Sequence, residues 1–297
     1  MSVSARIKEL NKRMSQKLTA RGVEASETET MTSLINKIDN LPTGQSDIDF
    51  SSLTEWQYFS YYNNRNTLVA KLKYSDTSNG TNFSNMFYSC SGLTTIPQLD
   101  TSKGTNFSNM FYRCSALTTI PQLDTSKGTN FSGMFYSCSA LTTIPQLDTS
   151  KGTEFSGMFY GCSKLTTIPQ LDTSKGTGFG SMFNGCSKLT TIPQLDTSNG
   201  TNFSNMFYSC SALTNLTIAG SINTSGMNLK SATKLSKASI TSVVNALSAS
   251  ASGKSITFSK TAIDSAFETS SGVADGSTSE EWTTLIATKA NWTIALS

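Results

Sequence analysis

Between Asp76 and Ile218 the apolar positions recur at one period, 24 residues, over six successive copies of a single unit. The copies begin at Asp76, Asp100, Asp124, Asp148, Asp172 and Asp196, and the unit reads D-T-S-K-G-T-N-F-S-N-M-F-Y-S-C-S-A-L-T-T-I-P-Q-L. A repeat of this length is one supersecondary turn that buries its apolar side only by stacking on its neighbours. Within a unit, Phe83, Met86, Phe87 and Cys90 stand at i, i+3, i+4 and i+7, which is the spacing of one helix face. Thr81 then sits at the N-cap, as do Thr105, Thr129, Thr153, Thr177 and Thr201. Leu93-Thr94-Thr95-Ile96 favours a strand because its β-branched residues do, and Pro97 ends the laddering because it has no N–H to give. The pattern predicts an α/β solenoid: leucine-rich-repeat-like coils of 24 residues over 76–218, each with a short parallel strand and a short helix. Leu93, Ile96 and Leu99 face inward opposite the helix.

The flanks read differently. Residues 1–41 predict two short helices, Ser4 to Ala20 with Ile7, Leu10, Met14 and Leu18 on one side, and Glu27 to Leu41 with Met31, Leu34, Ile35 and Ile38. Ser26 and Glu29 fit a capping box for the second. Helices this short hold no stable core alone. The segment is therefore expected to attach the chain to sister copies, as a homotrimer, or to another partner. Residues 42–75 read as a linker, Pro42 to Ser46, followed by a cap rich in aromatics such as Trp56, Tyr58 and Phe59. Past Ile218 the period breaks, and residues 219–297 read as irregular repeats and a second cap. Their elements are a helix over Ser239–Leu247, a strand over Ser255–Phe258, a helix over Glu280–Lys289 and a strand over Trp292–Ala295.

Composition narrows the function. The chain has no histidine, which removes the commonest general base and metal ligand, so neither an enzyme nor a cofactor is expected. Charged residues make up 14% with a net charge of +3, too little for a nucleic-acid footprint. Six basic residues against one acid in the first 21 could suggest an anionic partner, but a solvated helix face is the better account. No apolar run approaches the roughly 20 residues of a membrane span, so membrane insertion is not expected. The first 18 residues also lack the apolar stretch of a signal peptide, and the expectation is synthesis in the producing cell's cytoplasm with exit by another route, such as lysis.

Two ladders imitate chemistry. The six cysteines, Cys90, Cys114, Cys138, Cys162, Cys186 and Cys210, occupy one repeat position. Stacked side chains with parallel Cβ vectors do not converge as a disulfide requires, and the spacing is not that of a metal site. They read as buried free thiols. The aspartates of successive turns should stand about 4.8 Å apart, near the ~5–5.5 Å of a retaining glycosidase pair. Every turn repeats that spacing, however, and Asp-Thr-Ser is a turn former whose carboxylate bonds its own backbone. A polysaccharide depolymerase is the rival reading, but no cluster of carboxylates breaks the repeat to support it.

The candidate binding surface is a column. Tyr88, Tyr112, Tyr136, Tyr160 and Tyr208 each follow an inward Phe and turn outward, with Asn82, Asn85, Asn106 and Asn109 beside them. Tyr with Asn, Ser and Gly is a mixture that recognition surfaces favour. The variable positions cluster here: Asn82 becomes Glu154 and Gly178, Ser89 becomes Arg113, and Tyr88 becomes Asn184. The alternative is that the tyrosines only stack on one another, since aromatic pairs stabilise by ~0.5–1.5 kcal/mol in themselves.

The M-F-x-x-C-S-x-L-T-x-I core followed by L-D-T-S resembles the BspA-like leucine-rich repeats of bacterial and phage surface proteins over about residues 76–218, with Pro97-Gln98-Leu99 where that family more often has another leucine. The resemblance implies adhesion or ligand binding and no catalytic residue. The two-helix opening resembles the start of phage tail and head-fibre proteins, and Ala287-Thr-Lys-Ala-Asn-Trp-Thr-Ile294 resembles the terminal segment of phage-encoded proteins of this repeat type. Together these imply a phage virion appendage, a receptor-binding fibre. Its expected partners are a host cell-surface glycan or protein and, through 1–41, other virion proteins. A bacterial adhesin located at the cell surface is the alternative.

Overall fold

The computed structural model describes residues 77–267 and 279–297, together with Lys12, Ser15, Gln16, Leu18, Thr19 and residues 24–26. The expected linker and cap over 42–75 and the second N-terminal helix lie outside the described residues. Of the first helix, Lys12, Ser15, Gln16, Leu18 and Thr19 are helical, and Leu18 is fully buried in the same core cluster as the repeats.

Successive repeats stack as coils of a solenoid around one apolar column per repeat position. Two phenylalanine columns run through the core, starting at Phe83 and Phe87, with ring centroids 5.4–5.9 Å apart from coil to coil. Met86, Cys90, Leu93, Ile96 and Leu99 and their equivalents are buried as the periodicity predicts.

The predicted helix is absent. Residues 83–90 form consecutive tight turns instead, with i→i+3 bonds from Met86 N–H to Phe83 O, Tyr88 N–H to Asn85 O and Cys90 N–H to Phe87 O. The cause is backbone sign. Asn85, Asn109, Gly133, Gly157, Ser181 and Asn205 hold φ between 53° and 62°, and Ser89, Arg113, Ser137, Gly161, Gly185 and Ser209 hold φ between 57° and 79°. A left-handed residue every fourth position breaks a right-handed helix and suits a turn that needs positive φ at its third residue. The N–H groups a helix would have used internally reach the next coil, as Phe83 N–H to Asn106 O (2.9 Å), Asn85 N–H to Ser108 O (2.9 Å), Phe87 N–H to Met110 O (2.8 Å) and Ser89 N–H to Tyr112 O (2.6 Å). Asn82, Asn106, Asn130, Glu154, Gly178 and Asn202 form one parallel bridge column here. The main backbone ladder therefore runs where the helix was expected. The threonines are not N-caps either: Thr105 gives both its N–H and its hydroxyl to Thr81 O of the preceding coil.

On the opposite side the expected strands stack as regular structure only at the end of the array. Strand β1 (Thr191–Asp196) pairs in parallel with β2 (Asn215–Ala219). In earlier coils single bonds such as Thr142 N–H to Thr118 O (3.2 Å) mark the same column. Proline explains the gap, and glutamine compensates. Gln122 Nε2 donates to Gln146 O (2.6 Å), Gln146 to Gln170 O (2.6 Å) and Gln170 to Gln194 O (2.7 Å), so the side chain supplies the inter-coil donor the proline lacks. Buried threonines add a further staple: Thr101, Thr125 and Thr149 donate to the carbonyls of Asp124, Asp148 and Asp172 at 2.7–2.8 Å.

The C-terminal part closes this end, and its four expected elements are present. They are α1 (Lys237–Ala246), β4 (Lys254–Phe258), α3 (Glu280–Ala287) and β5 (Trp292–Leu296). β3 (Asn228–Leu229) and α2 (Lys260–Ala266) were not expected from the sequence. β3, β4 and β5 form an all-parallel sheet in that order. Helix α1 covers the free edge of β2 with two hydroxyls one turn apart. Ser239 Oγ accepts from Leu216 N–H (2.9 Å) and donates to Thr214 O (3.1 Å), while Ser242 Oγ accepts from Ile218 N–H (2.9 Å) and donates to Ile218 O (3.3 Å). These serines stand in for a strand and satisfy the edge. The terminal Lys-Ala-Asn-Trp run clamps the end of α1: Lys289 Nζ donates to Leu247 O (2.7 Å), Asn291 Nδ2 to Ser248 O (3.0 Å) and Trp292 Nε1 to Ser248 O (2.9 Å).

Candidate functional site

The tight turns that carry the backbone ladder place one outward side chain per coil between the two positive-φ residues, and in four successive coils that residue is tyrosine. Tyr88, Tyr112, Tyr136 and Tyr160 stack with centroids 4.6, 4.6 and 4.2 Å apart and planes within 17° of parallel. Each is half-buried, so the interior rings present edges and hydroxyls to solvent while their faces cover one another. Burial pushes the Tyr136 phenol above its ordinary value, and neighbouring Tyr160 adds to the effect. The Arg113 guanidinium lies over the Tyr112 ring at 5.4 Å, a cation–π contact. Tyr208 stands apart from this stack and is 43% exposed.

The asparagines have backbone duties. Asn82 and Asn106 accept from the N–H of Ser84 and Ser108 at 3.0 Å, which fixes the chain entering the turns. Asn85 and Asn109 hold the positive φ that tolerates Asn, Gly and Ser. The variation from Asn to Gly or Ser at this position follows from conformation. Nothing in the sequence shows it except the restriction to those residue types.

The aspartate ladder is structural in geometry. Ser126, Ser150 and Ser174 give both hydroxyl and N–H to Asp124, Asp148 and Asp172, and these bonds, hydroxyl first, hold the carboxyls below the usual range. For Asp100 the Ser102 N–H is the larger influence. None of the six cysteines forms a disulfide, and all six are buried. Cys114, Cys138, Cys162, Cys186 and Cys210 each donate to the carbonyl of the Phe three residues before the preceding coil's cysteine, at 3.0–3.1 Å. Burial raises the pKa of Cys138, Cys162, Cys186 and Cys210, to about 12 for Cys138 and Cys210. A thiol held protonated in this way is a poor nucleophile. Among the described residues no group of three or more metal-ligating side chains could hold an ion, and no helix is long and apolar enough to cross a membrane.

Laddered turns of fixed period, a core made of identical columns and an outward aromatic row define a repeat-solenoid protein. Residues 28–143, 56–166 and 129–243 each match the family described as "Mycoplasma protein of unknown function, DUF285". These matches extend over most of the chain, which belongs to that family. No curated protein matches it.

Proposed function

We propose that this chain is a non-enzymatic attachment protein whose solenoid displays the tyrosine column to a cell-surface glycan or protein. The observation that carries the reading is the column itself: four half-buried tyrosines stacked in successive coils and, beyond one intervening coil, an exposed Tyr208, all set on the backbone ladder. Such rings give broad contact area at small entropic cost. The setting is a virion appendage, a tail or head fibre made in the host cytoplasm, with residues 1–41 joining it to sister chains as a trimer and to other virion proteins. The phage-like opening and ending support that setting. A bacterial surface adhesin uses the same surface and is the second reading, favoured by membership of a family described from Mycoplasma.

Replacing Tyr112 and Tyr136 together with Ser removes three of the stacked pairs. The melting temperature is expected to fall by about 3–18 °C, since each of the three pairs stabilises by about 0.5–1.5 kcal/mol and each kcal/mol is worth about 2–4 °C. Binding of the labelled full chain to a panel of bacterial cells, measured well below the melting transition, is expected to drop at least tenfold. Binding that survives in the variant would leave the tyrosines as a structural ladder only.

A further inference from the structure

The fifth coil interrupts the tyrosine column, and the interruption has a definite shape. Where the other coils carry Tyr, this one carries Asn184, followed by Gly185. Gly178 and Gly180 stand earlier in the coil where others have Asn or Glu and Ser. The coil itself is regular: Asn184 N–H bonds Ser181 O, and its carbonyl accepts from Gly161 N–H at 2.7 Å. A rung is missing without a break in the ladder. Its neighbours are Tyr160, stacked on Tyr136 by one face only, and Tyr208, the one exposed large apolar side chain among the described residues.

Two coil spacings separate the Tyr160 and Tyr208 positions, about 9.5 Å. A ring-shaped group in van der Waals contact on both faces, at about 4–4.5 Å each, fills about 8–9 Å. The notch is therefore one ring wide. Its floor is small: an added Cβ at Gly185 would meet nothing closer than the Gly161 backbone at 3.4 Å. Its residues are polar, since the amide of Asn184 replaces the apolar body of a tyrosine. Earlier in the same coil the absent side chains are used from both sides. A Cβ at Gly178 would run into the Glu154 carboxylate, and one at Gly180 would meet the Asn202 amide at 2.9 Å. Glu154 and Asn202 thus lean across the recess, and Thr177 Oγ1 donates to Glu154 at 3.3 Å.

We infer that this notch is a binding slot for a single pyranose ring of a glycan, held between the faces of Tyr160 and Tyr208 with its hydroxyls served by Asn184. Two aromatic walls with an amide between them suit a ring that is apolar on its faces and polar around its rim. A Phe side chain would gain nothing from Asn184, and a Trp could use it with one N–H only, whereas a pyranose offers several hydroxyls. The inference rests on the attachment reading above and narrows its ligand to a carbohydrate and its location to coils four to six.

The test restores the missing rung. Asn184→Tyr places the repeat's own residue in the notch, where it should stack on both neighbours at the spacing seen along the column, so the variant is expected to melt at or above the temperature of the parent. Saturation-transfer NMR of the full chain with methyl pyranosides of glucose, galactose, mannose and N-acetylglucosamine should show transfer to at least one sugar. That signal should vanish in Asn184→Tyr and weaken at least tenfold in Tyr208→Ser. No transfer from the parent protein to any of the four, or equal transfer in parent and Asn184→Tyr, overturns the slot. Cell binding retained by Asn184→Tyr without sugar transfer in either form would sink the slot and leave the attachment surface standing. Sugar transfer in a parent that binds no cell would do the reverse. Self-association of the parent that Asn184→Tyr abolishes, with no sugar transfer, would assign the notch to a side chain of a second copy and overturn the carbohydrate.

Discussion

Phe135→Ala is expected to lower the unfolding free energy by about 3–5 kcal/mol. The ring is fully buried and stacked between Phe111 at 5.5 Å and Phe159 at 5.6 Å. Its loss therefore opens a cavity bounded by two other coils, while the turns around it are fixed by inter-coil bonds such as Phe135 N–H to Met158 O at 2.9 Å. A backbone held in this way cannot collapse into the space, which puts the cost toward the upper part of the range. Because every interior coil repeats the environment, Phe111→Ala and Phe159→Ala should fall within about 1 kcal/mol of the same value. Urea denaturation of the three variants checks this. A loss below about 1 kcal/mol at Phe135 would mean that the column is not packed as described.

The second large effect is expected at the far end of the array, where Ser239 and Ser242 satisfy the edge of β2. Replacing both with Ala leaves the buried Leu216 and Ile218 N–H groups without their serine partners; Ser239 itself is 3% exposed and Ser242 is half-buried. Each orphaned buried donor costs about 1–3 kcal/mol, so the double variant is expected to lose about 2–6 kcal/mol. Single variants divide the loss between them. Ser239→Thr, which keeps the hydroxyl, should recover most of it. Amide exchange at Leu216 and Ile218 gives a local reading: both should exchange far faster in the double variant while Phe135 N–H is unchanged. Equal protection in parent and variant would show that α1 covers the edge without these bonds.

Much of this architecture is legible in the residues, for physical reasons. Each Phe, Met, Cys, Leu and Ile position of the unit returns 24 residues on, and a column of identical apolar residues has no way to be buried except by stacking. The solenoid, its buried thiols and the Asp-Ser turns follow from that. The local conformation of residues 83–90 is not legible, because i, i+3, i+4, i+7 spacing is shared by a helix and by a run of tight turns that also brings every fourth residue to one side. What separates them is the sign of φ at Asn85 and Ser89. Asn, Gly and Ser at one position and Ser, Gly and once Arg at the next carry that information only weakly. Gln98 and Thr101 are a different matter. Their roles as inter-coil donors depend on which carbonyls the neighbouring coil leaves open, and a single unit does not show that. At the candidate surface the tyrosine row is plain in the sequence, but the mutual covering of its ring faces, and hence the significance of the single gap at Asn184, needs three dimensions.

The most direct measurement removes one coil. Deleting residues 124–147 joins Leu123 to Asp148 and restores the repeat across the junction, so each inter-coil bond finds an equivalent partner. The shortened protein is expected to fold with a single cooperative transition, with its largest dimension in solution scattering reduced by about 5 Å, one coil spacing, and with stability lowered by the share of one interior coil. Deleting only residues 124–135, half a coil, should leave an array that does not fold, because every column downstream falls out of register. An unfolded 24-residue deletion, or a folded 12-residue one, would contradict the account.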